Sequence, residues 1–416
     1  MASGVRTRSQ RKSSGGSSEG LAALSAGLAR RLADEHANTN LVFSPLSIYT
    51  ALALVAAGAH GATLEEILGV LGVQSRGELD DDLSCPLKPG FREAVAAGAY
   101  GAEASTVDFR GDPKGSRRLI NSWAAQSTNK LITSLLGGGS VNRDTRVVVG
   151  NAVYFNGKWE QPFYKKNTEK GPFRRLNGAV DVSFMRSWER QFVAVHGGFK
   201  MLKLRYKMGA GRSHAGQSSN SNPKRPTPYS RNSNGQNRRG SKNRSDAEDN
   251  FSARTQFSMC VFLPDADDGL ASLLDTIASR PGFLHDHLPR EQVKVDHFKL
   301  PRFKLSFHSS VVGALDKMGL RLPFHEAADL SDMTEDDDSG FPLVVSDVIH
   351  KAVIEVNEEG TKAAAATTKV IKCPKKAPKP PPRVDFVADH PFAYFIVEEE
   401  TEAVVFAGHV LDPSRA

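Results

Sequence analysis

The chain has 416 residues, with 54 Lys and Arg against 47 Asp and Glu, and a net charge of +7. Length alone suggests about two to three domains. Glycine without a period of three, only three cysteines and apolar runs along most of the chain exclude collagen-like, disulfide-scaffold and wholly disordered classes.

The basic excess is local. Residues 1–20 carry +3, 207–254 carry +7 and 360–383 carry +7, which leaves an acidic remainder of −10. The first twenty residues hold Arg6, Arg8, Arg11 and Lys12 around no apolar core, so they read as a disordered basic tail and not as a secretory signal. A cytoplasmic or nucleocytoplasmic location is expected over an extracellular one. Leu21, Leu24, Leu28 and Leu32 recur at steps of three and four, an amphipathic helix with Ser17 and Ser18 available as caps. A second helix follows Ser44-Pro45, and its apolar stretch from Leu46 to Ala59 is too short and polar for a bilayer span. A third, across Thr63 to Leu71, sets Leu64, Ile67, Leu68 and Leu71 on one face. Arg146 to Asn156 is β-branched, aromatic and nearly continuous, as in a strand covered on both faces. Residues 207–254 are Ser, Asn, Gly, Arg and Pro with almost no apolar side chains, and read as a disordered insert. It interrupts a sheet domain between Tyr206 and Phe257 that should close around it. Phe257–Leu263, Val344–Ile349, His350–Val356, Phe392–Val397 and Val404–Val410 read as further strands. Helices early and strands late predict an α+β fold.

Cys85, Cys260 and Cys373 lie far apart, and reduced thiols are expected. No G-x-S-x-G elbow or G-x-x-x-x-G-K-[ST] loop is present, so the chain reads as a non-enzyme. His285 and His287 flank Asp286 without further clustered ligands. That pattern reads as a solvated turn, and neither a metal nor a cofactor is expected.

Four motifs carry more information: Asn40-Leu-Val-Phe-Ser-Pro-Leu-Ser-Ile, Asn151-Ala-Val-Tyr-Phe-Asn-Gly-Lys-Trp, His350-Lys-Ala-Val-Ile-Glu-Val-Asn-Glu-Glu-Gly-Thr and Asp385-Phe-Val-Ala-Asp-His-Pro-Phe. In this order they resemble the serpin family, its plant branch above all, over Leu21 to Pro413 apart from the insert. The resemblance implies a single domain over 21–416, with helices around a large central mixed sheet and smaller sheets, and an exposed reactive loop at 360–383. It implies irreversible suicide-substrate inhibition of a serine or cysteine protease. After cleavage the loop inserts into the main sheet as an extra strand.

The hinge of such a loop matches Glu359, Gly360, Thr361, Lys362, Ala363, Ala364, Ala365, Ala366, Thr367 and Thr368. An alanine-rich helix or linker is the bland alternative, and the position after Glu358-Glu359-Gly360 favours the hinge. If Thr361 faces the core, so do Ala363, Ala365, Thr367 and Lys369. An unpaired buried ammonium costs several kcal/mol, so Lys369 should weaken the end of insertion. The family pattern puts the reactive bond between Pro374 and Lys375, with Lys372 and Cys373 as alternatives. The expected partner is a base-preferring protease, with the inhibitor a monomer that binds no membrane. Ser44, Ser47, Asn151 and His350 match a hydrogen-bonded cluster beneath the main sheet that controls its opening, and Trp159 matches a tryptophan near its top. Between Leu79 and Pro89 the resemblance implies an inner strand of that sheet that this sequence lacks. Two alternatives stay open. One is a non-inhibitory relative binding an anionic partner, such as nucleic acid, through the insert; this is disfavoured because no aromatic platform accompanies the bases beyond Tyr229 and the terminal Phe251. The other is a degenerate, non-functional member.

Overall fold

The computed structural model describes residues 16–76, 105–207, 256–280, 282–333, 342–361, 384–399 and 401–415. Helix α1 spans Gly16–Glu35 and buries Leu24, Leu28 and Leu32 completely, as the leucine spacing requires. It begins inside the segment expected as a tail, and Ser17 and Ser18 lie within it instead of capping it. Once the leucine face is docked, extending a helix by one turn adds a hydrogen bond per residue and needs no new nucleus. Helix α2, Pro45–Ala57, starts at its N-cap Ser44 and ends at Gly58. It is apolar on nearly every side and correspondingly central. Helix α3, Gly61–Leu71, buries Thr63, Ile67, Leu68 and Leu71, whereas Leu64 is only partly covered. Helix α4, Pro113–Ser127, capped by Asp112, was not foreseen, because its apolar face is narrow. No helix among the described residues is long and apolar enough to cross a membrane.

The larger sheet holds β1 (Leu41–Phe43), β4 (Glu169–Arg175), β5 (Gly178–Met185), β6 (Arg190–His196), β7 (Phe199–Arg205), β8 (Phe257–Pro264), β9 (Gln292–Pro301), β13 (Val384–Val387), β14 (Phe392–Glu398) and β15 (Val404–Val410). Its order is β1-β15-β14-β8-β7-β6-β9-β5-β4, with β13 paired to β9. Among the described residues only that last pairing is parallel. The smaller sheet is mixed at its centre. It contains β2 (Val147–Tyr154), β3 (Gly157–Lys158), β10 (Phe303–Ser310), β11 (Val345–Asn357) and β12 (Gly360–Thr361). Here β10, β12 and β3 run antiparallel to their neighbours, and β2 runs parallel to β11. Thus the α+β class holds, with both sheets mixed among the described residues.

Two strand readings change. Val344–Ile349 and His350–Val356 are one strand, β11, kept continuous across a register shift between Val345 and Asp347. The β2 segment is half-buried at all eight positions and not covered on both faces. Among the described residues β11 is its only partner, and the Leu79–Pro89 stretch lies outside those residues. Around the insert, the Tyr206 amide donates to the Phe257 carbonyl at 2.9 Å, and Arg205 sits opposite Ser258 in the β7–β8 ladder. The insert beyond Lys207 lies outside the described residues.

Close approach of β15 to its neighbours depends on Gly408. A Cβ there would overlap the Leu41 carbonyl and sit 2.7 Å from the Tyr394 hydroxyl. Gly408→Ala should therefore cost about 1–3 kcal/mol by overpacking, read as a lower urea midpoint; an unchanged midpoint would contradict this packing.

Candidate functional site

The four cluster residues meet where α2 begins. The Ser44 amide donates to His350 Nε2 at 3.1 Å. Ser44 Oγ donates to the Val405 carbonyl at 2.6 Å and accepts from the Ser47 amide at 3.2 Å. Asn151 Nδ2 donates to the Ser47 carbonyl at 2.7 Å. Since His350 and Asn151 are register partners in β11 and β2, one helix end holds both strands of a parallel seam. An imidazole that accepts through Nε2 carries its proton on Nδ1, and that atom is buried without a hydrogen-bond partner among the described residues. Burial pushes the His350 pKa down to about 3. The ring is neutral at any physiological pH.

At the far end of β11 the chain turns at Glu358-Glu359 and runs back as β12. Thr361 lies opposite Val356 on one side and Gly157 of β3 on the other. This seat is tight: Gly360 has φ +146°, and a Cβ there would overlap the Gly157 carbonyl. Thr361 is fully buried, with its hydroxyl 2.9 Å from that of Tyr206. Burial raises the Tyr206 pKa, which keeps the phenol protonated. The Tyr206 ring stacks on Trp159, centroids 4.5 Å apart at 20°. Trp159 Nε1 in turn donates to the Asn357 carbonyl at 2.9 Å. Its amide donates to the Glu359 carbonyl, and that of Phe163 to the Glu358 carbonyl. The buried Glu358 carboxylate accepts from Thr168 Oγ1 at 2.7 Å and lies 3.5 Å from Arg302 Nη1. Glu359 pairs with the exposed Lys165 at 2.7 Å.

Tyr206, Glu358, Thr168 and Arg302 were not singled out from sequence. Two had a signal: Tyr206 is the last apolar residue before the insert, and Glu358 directly precedes the hinge. Lys362 through Thr368, Lys369, Lys372, Cys373, Pro374 and Lys375 lie outside the described residues, as do Cys85 and Cys373 among the thiols. Cys260 is buried and free, with its pKa raised by burial. The His285–His287 segment is not a solvated turn. It belongs to a short helix, Phe283–Asp286, where His287 stacks on Phe283 at 4.0 Å and meets His196 edge-on. The phenylalanine one turn earlier supplies an apolar seat that a local ligand count overlooks. Among the described residues no group of three or more His, Cys, Asp or Glu could hold a metal ion.

Comparison with known proteins accounts for this arrangement. The family model for serpin (serine protease inhibitor) matches residues 19–84, 79–214 and 250–413. The match breaks within the insert and again near residues 79–84, beside the expected loss of a strand. The chain is 48% identical to serpin-Z8 of Oryza sativa subsp. japonica, covering 95% of this chain and 96% of that one. That alignment runs over 436 positions, more than the chain's 416 residues, so the rice protein holds residues with no counterpart here. Serpin-ZX of Arabidopsis thaliana is 36% identical, with 90% and 93% covered. Among solved structures, Arabidopsis AtSerpin1 in its native stressed conformation superposes with a TM-score of 0.76 at 33% identity, covering 97% of this chain and 100% of that one. Serpin48 of the insect Tenebrio molitor gives 0.71 at 24% identity over 97% and 100%, a likeness of fold.

His350 gives the seam a pH dependence. Its folded pKa, about 3, lies below the ordinary 6.5, so its contribution is complete above about 6.5 and is lost as pH falls toward about 3. His409, lowered to about 4 by burial against the opposing bond to Thr39, acts in the same direction. Urea midpoints should fall through this window by an amount equivalent to roughly 4 kcal/mol for His350. His350→Gln should flatten the profile, and an equally steep profile in that variant would place the titrating group elsewhere.

Proposed function

Because the chain belongs to the serpin family of serine protease inhibitors, we propose that it traps a base-preferring serine or cysteine protease irreversibly, using residues 362–383 as bait. The protease nucleophile bonds to the carbonyl carbon of the scissile residue, and the amine of the next residue leaves with a proton from the protease's acid. The freed end then enters the smaller sheet before water can cleave the ester or thioester. One chain consumes one protease, and the inhibitor itself does not turn over.

The seat of Thr361 carries this reading. One edge of β11 is occupied by β10, so β12 and β2 share the other. A loop that lengthens β12 must therefore run between β11 and β2. With Thr361 opposite Val356, continued antiparallel register sets Ala363 opposite Ile354, Ala365 opposite Ala352 and Thr367 opposite His350. All these β11 residues are fully or almost fully buried, and the incoming small side chains suit that face. A Thr367 hydroxyl beside His350 can accept the Nδ1 proton that lacks a partner. The same register sets Lys369 opposite buried Val348, so its ammonium has to desolvate or snorkel. Similarity to a serpin solved in a native stressed conformation supports a resting state with its loop still outside the sheet.

Incubation with trypsin tests the proposal. An SDS-resistant covalent complex is expected, with the cleaved fragment beginning within residues 373–376. Lys369→Thr should raise the trapped fraction severalfold by removing a desolvation cost of several kcal/mol. Complete cleavage without a complex, in both proteins, would make the chain a substrate and not an inhibitor.

A further inference from the structure

The bait has two roots, and the distal one is held by charge. After residue 383 the chain forms β13, whose parallel pairing with β9 covers only Val384, Phe386 and Val387. It is supplemented by the Ala388 amide bound to the Lys299 carbonyl at 2.9 Å and the His297 amide bound to Asp385 Oδ1 at 3.0 Å. So short a ladder is a weak anchor. Immediately behind it stand Asp389 and His390. Arg174, on β4, places its guanidinium against two carboxylates at once: Nε and Nη2 reach Asp267 at 2.8 and 3.0 Å, and Nη1 and Nη2 reach Asp389 at 2.8 and 3.0 Å. The Arg174 amide also donates to the Asp389 carbonyl at 2.6 Å. The forked geometry of guanidinium makes such double engagement directional. The node thereby ties the end of the bait to β4 and to the turn after β8.

His390 completes the node. Its Nε2 lies 2.7 Å from the Pro264 carbonyl, and its Nδ1 lies 3.0 Å from Asp389 Oδ1 and 3.8 Å from Asp267 Oδ1. Either neutral tautomer sets a lone pair against one of the two near oxygens; the doubly protonated ring satisfies both. Among the described residues the 3.4 Å approach of Arg174 Nη2 to Nδ1 is the like-charge contact of the charged ring, and two carboxylates face it. With His390 charged, Arg174, His390, Asp267 and Asp389 sum to zero; with it neutral, one negative charge is left over. We propose that Arg174 is a positioning residue for the distal root of the reactive loop, clamping Asp389, and that the proton on His390 sets how tightly this clamp holds β13. Burial alone would lower the His390 pKa, but the bonds to Asp389 and Pro264 and the charge of Asp267 outweigh it and raise the value. The clamp is therefore complete below the ordinary imidazole pKa and loosens as pH rises through the raised one. Arg174 is half-exposed, so added salt weakens the clamp as well.

The inference rests on the reading of 362–383 as bait for its consequence, but its test does not. Amide hydrogen exchange on the intact, protease-free chain, corrected for intrinsic rates, is compared at about pH 5.5 and about pH 8.5. The reporters are Ala388 and His297 at the distal root; Trp159 and Phe163 at the proximal root serve as controls. Protection of Ala388 should fall about fivefold at the higher pH, with the controls unchanged. His390→Gln, which can still donate to Pro264 but cannot titrate, should abolish that fall. Arg174→Lys, a milder change than Arg174→Ala should the latter fail to fold, should lower protection at both pH values. Equal protection of wild-type Ala388 at both pH values, persistence of the fall in His390→Gln, or full protection in Arg174→Lys would each overturn the proposal, whether or not trypsin is trapped.

Discussion

The parallel seam between β2 and β11 is the constraint on which the rest of the molecule depends. Both strands are tied to one helix end, and the N-cap hydroxyl of Ser44 is used twice there, accepting from its own helix and donating to β15. A helix N-terminus always presents unpaired amides. Here the Ser44 amide, itself in the cap position, is satisfied by a histidine from the sheet. Separating the strands strands buried donors and acceptors, at about 1–3 kcal/mol for each group left unpaired. The lock is strong because it is dry, and the same dryness keeps His350 neutral. Among the described residues one donor, Nδ1 of His350, is left over in this closed state, so they do not satisfy every polar group that the seam buries.

That residual imbalance gives the hinge its meaning. The proposed bait would continue a strand already begun, since Gly360 and Thr361 are paired on both edges. On that reading nucleation of the new strand is complete in the resting molecule, and propagation is what remains. In the proposed inserted strand, parity follows from a single buried side chain: with Thr361 inside, every second residue after it would face the core. The cost proposed at Lys369 is accordingly a matter of register, which no local rearrangement of the loop would change. Trp159 and Tyr206 stabilise the start of the strand from one stacked pair, binding β3, the turn after β11 and the root of the insert together. The end of β7 and the start of the proposed hinge therefore share one anchor.

The elements legible in the sequence were those whose pattern is self-sufficient. The leucines of α1, the Ser44-Pro45 start of α2 and the apolar runs of β8, β14 and β15 each state their burial locally. What escaped was whatever a partner defines. The alternating β10 segment, Phe303 to Ser310, buries Phe303, Leu305 and Phe307, the period of a half-buried strand, but it lacks the long apolar run that marks β8 and β14. The short β1 is a strand only because β15 lies beside it. At the site, the four cluster residues came from motifs and do converge, whereas Tyr206 and the Arg302–Glu358 contact join residues far apart in sequence. Lone polar residues carry no periodicity, so nothing in their own neighbourhood announces such pairs. Arg174, Asp267 and His390 were invisible for the same reason, although the Asp-His-Pro motif containing His390 had been noticed for its resemblance.

In the proposed mechanism, protonation acts on the two ends in opposite directions. His350 must be neutral for the seam to hold, and His390 must be charged for the distal root to hold. As pH falls, the seam weakens while the clamp on β13 tightens; as pH rises, the seam is secure and the clamp relaxes. An uncut loop can fill the seam only by drawing on both roots, which lie in different sheets. A cut loop has a free end and needs the seam alone. In either pH regime one of the two barriers to insertion of the uncut loop remains in place, while cleavage removes the distal barrier altogether. On the proposed reading, the opposite signs of the two histidines thus reserve insertion for the chain that a protease has already cut.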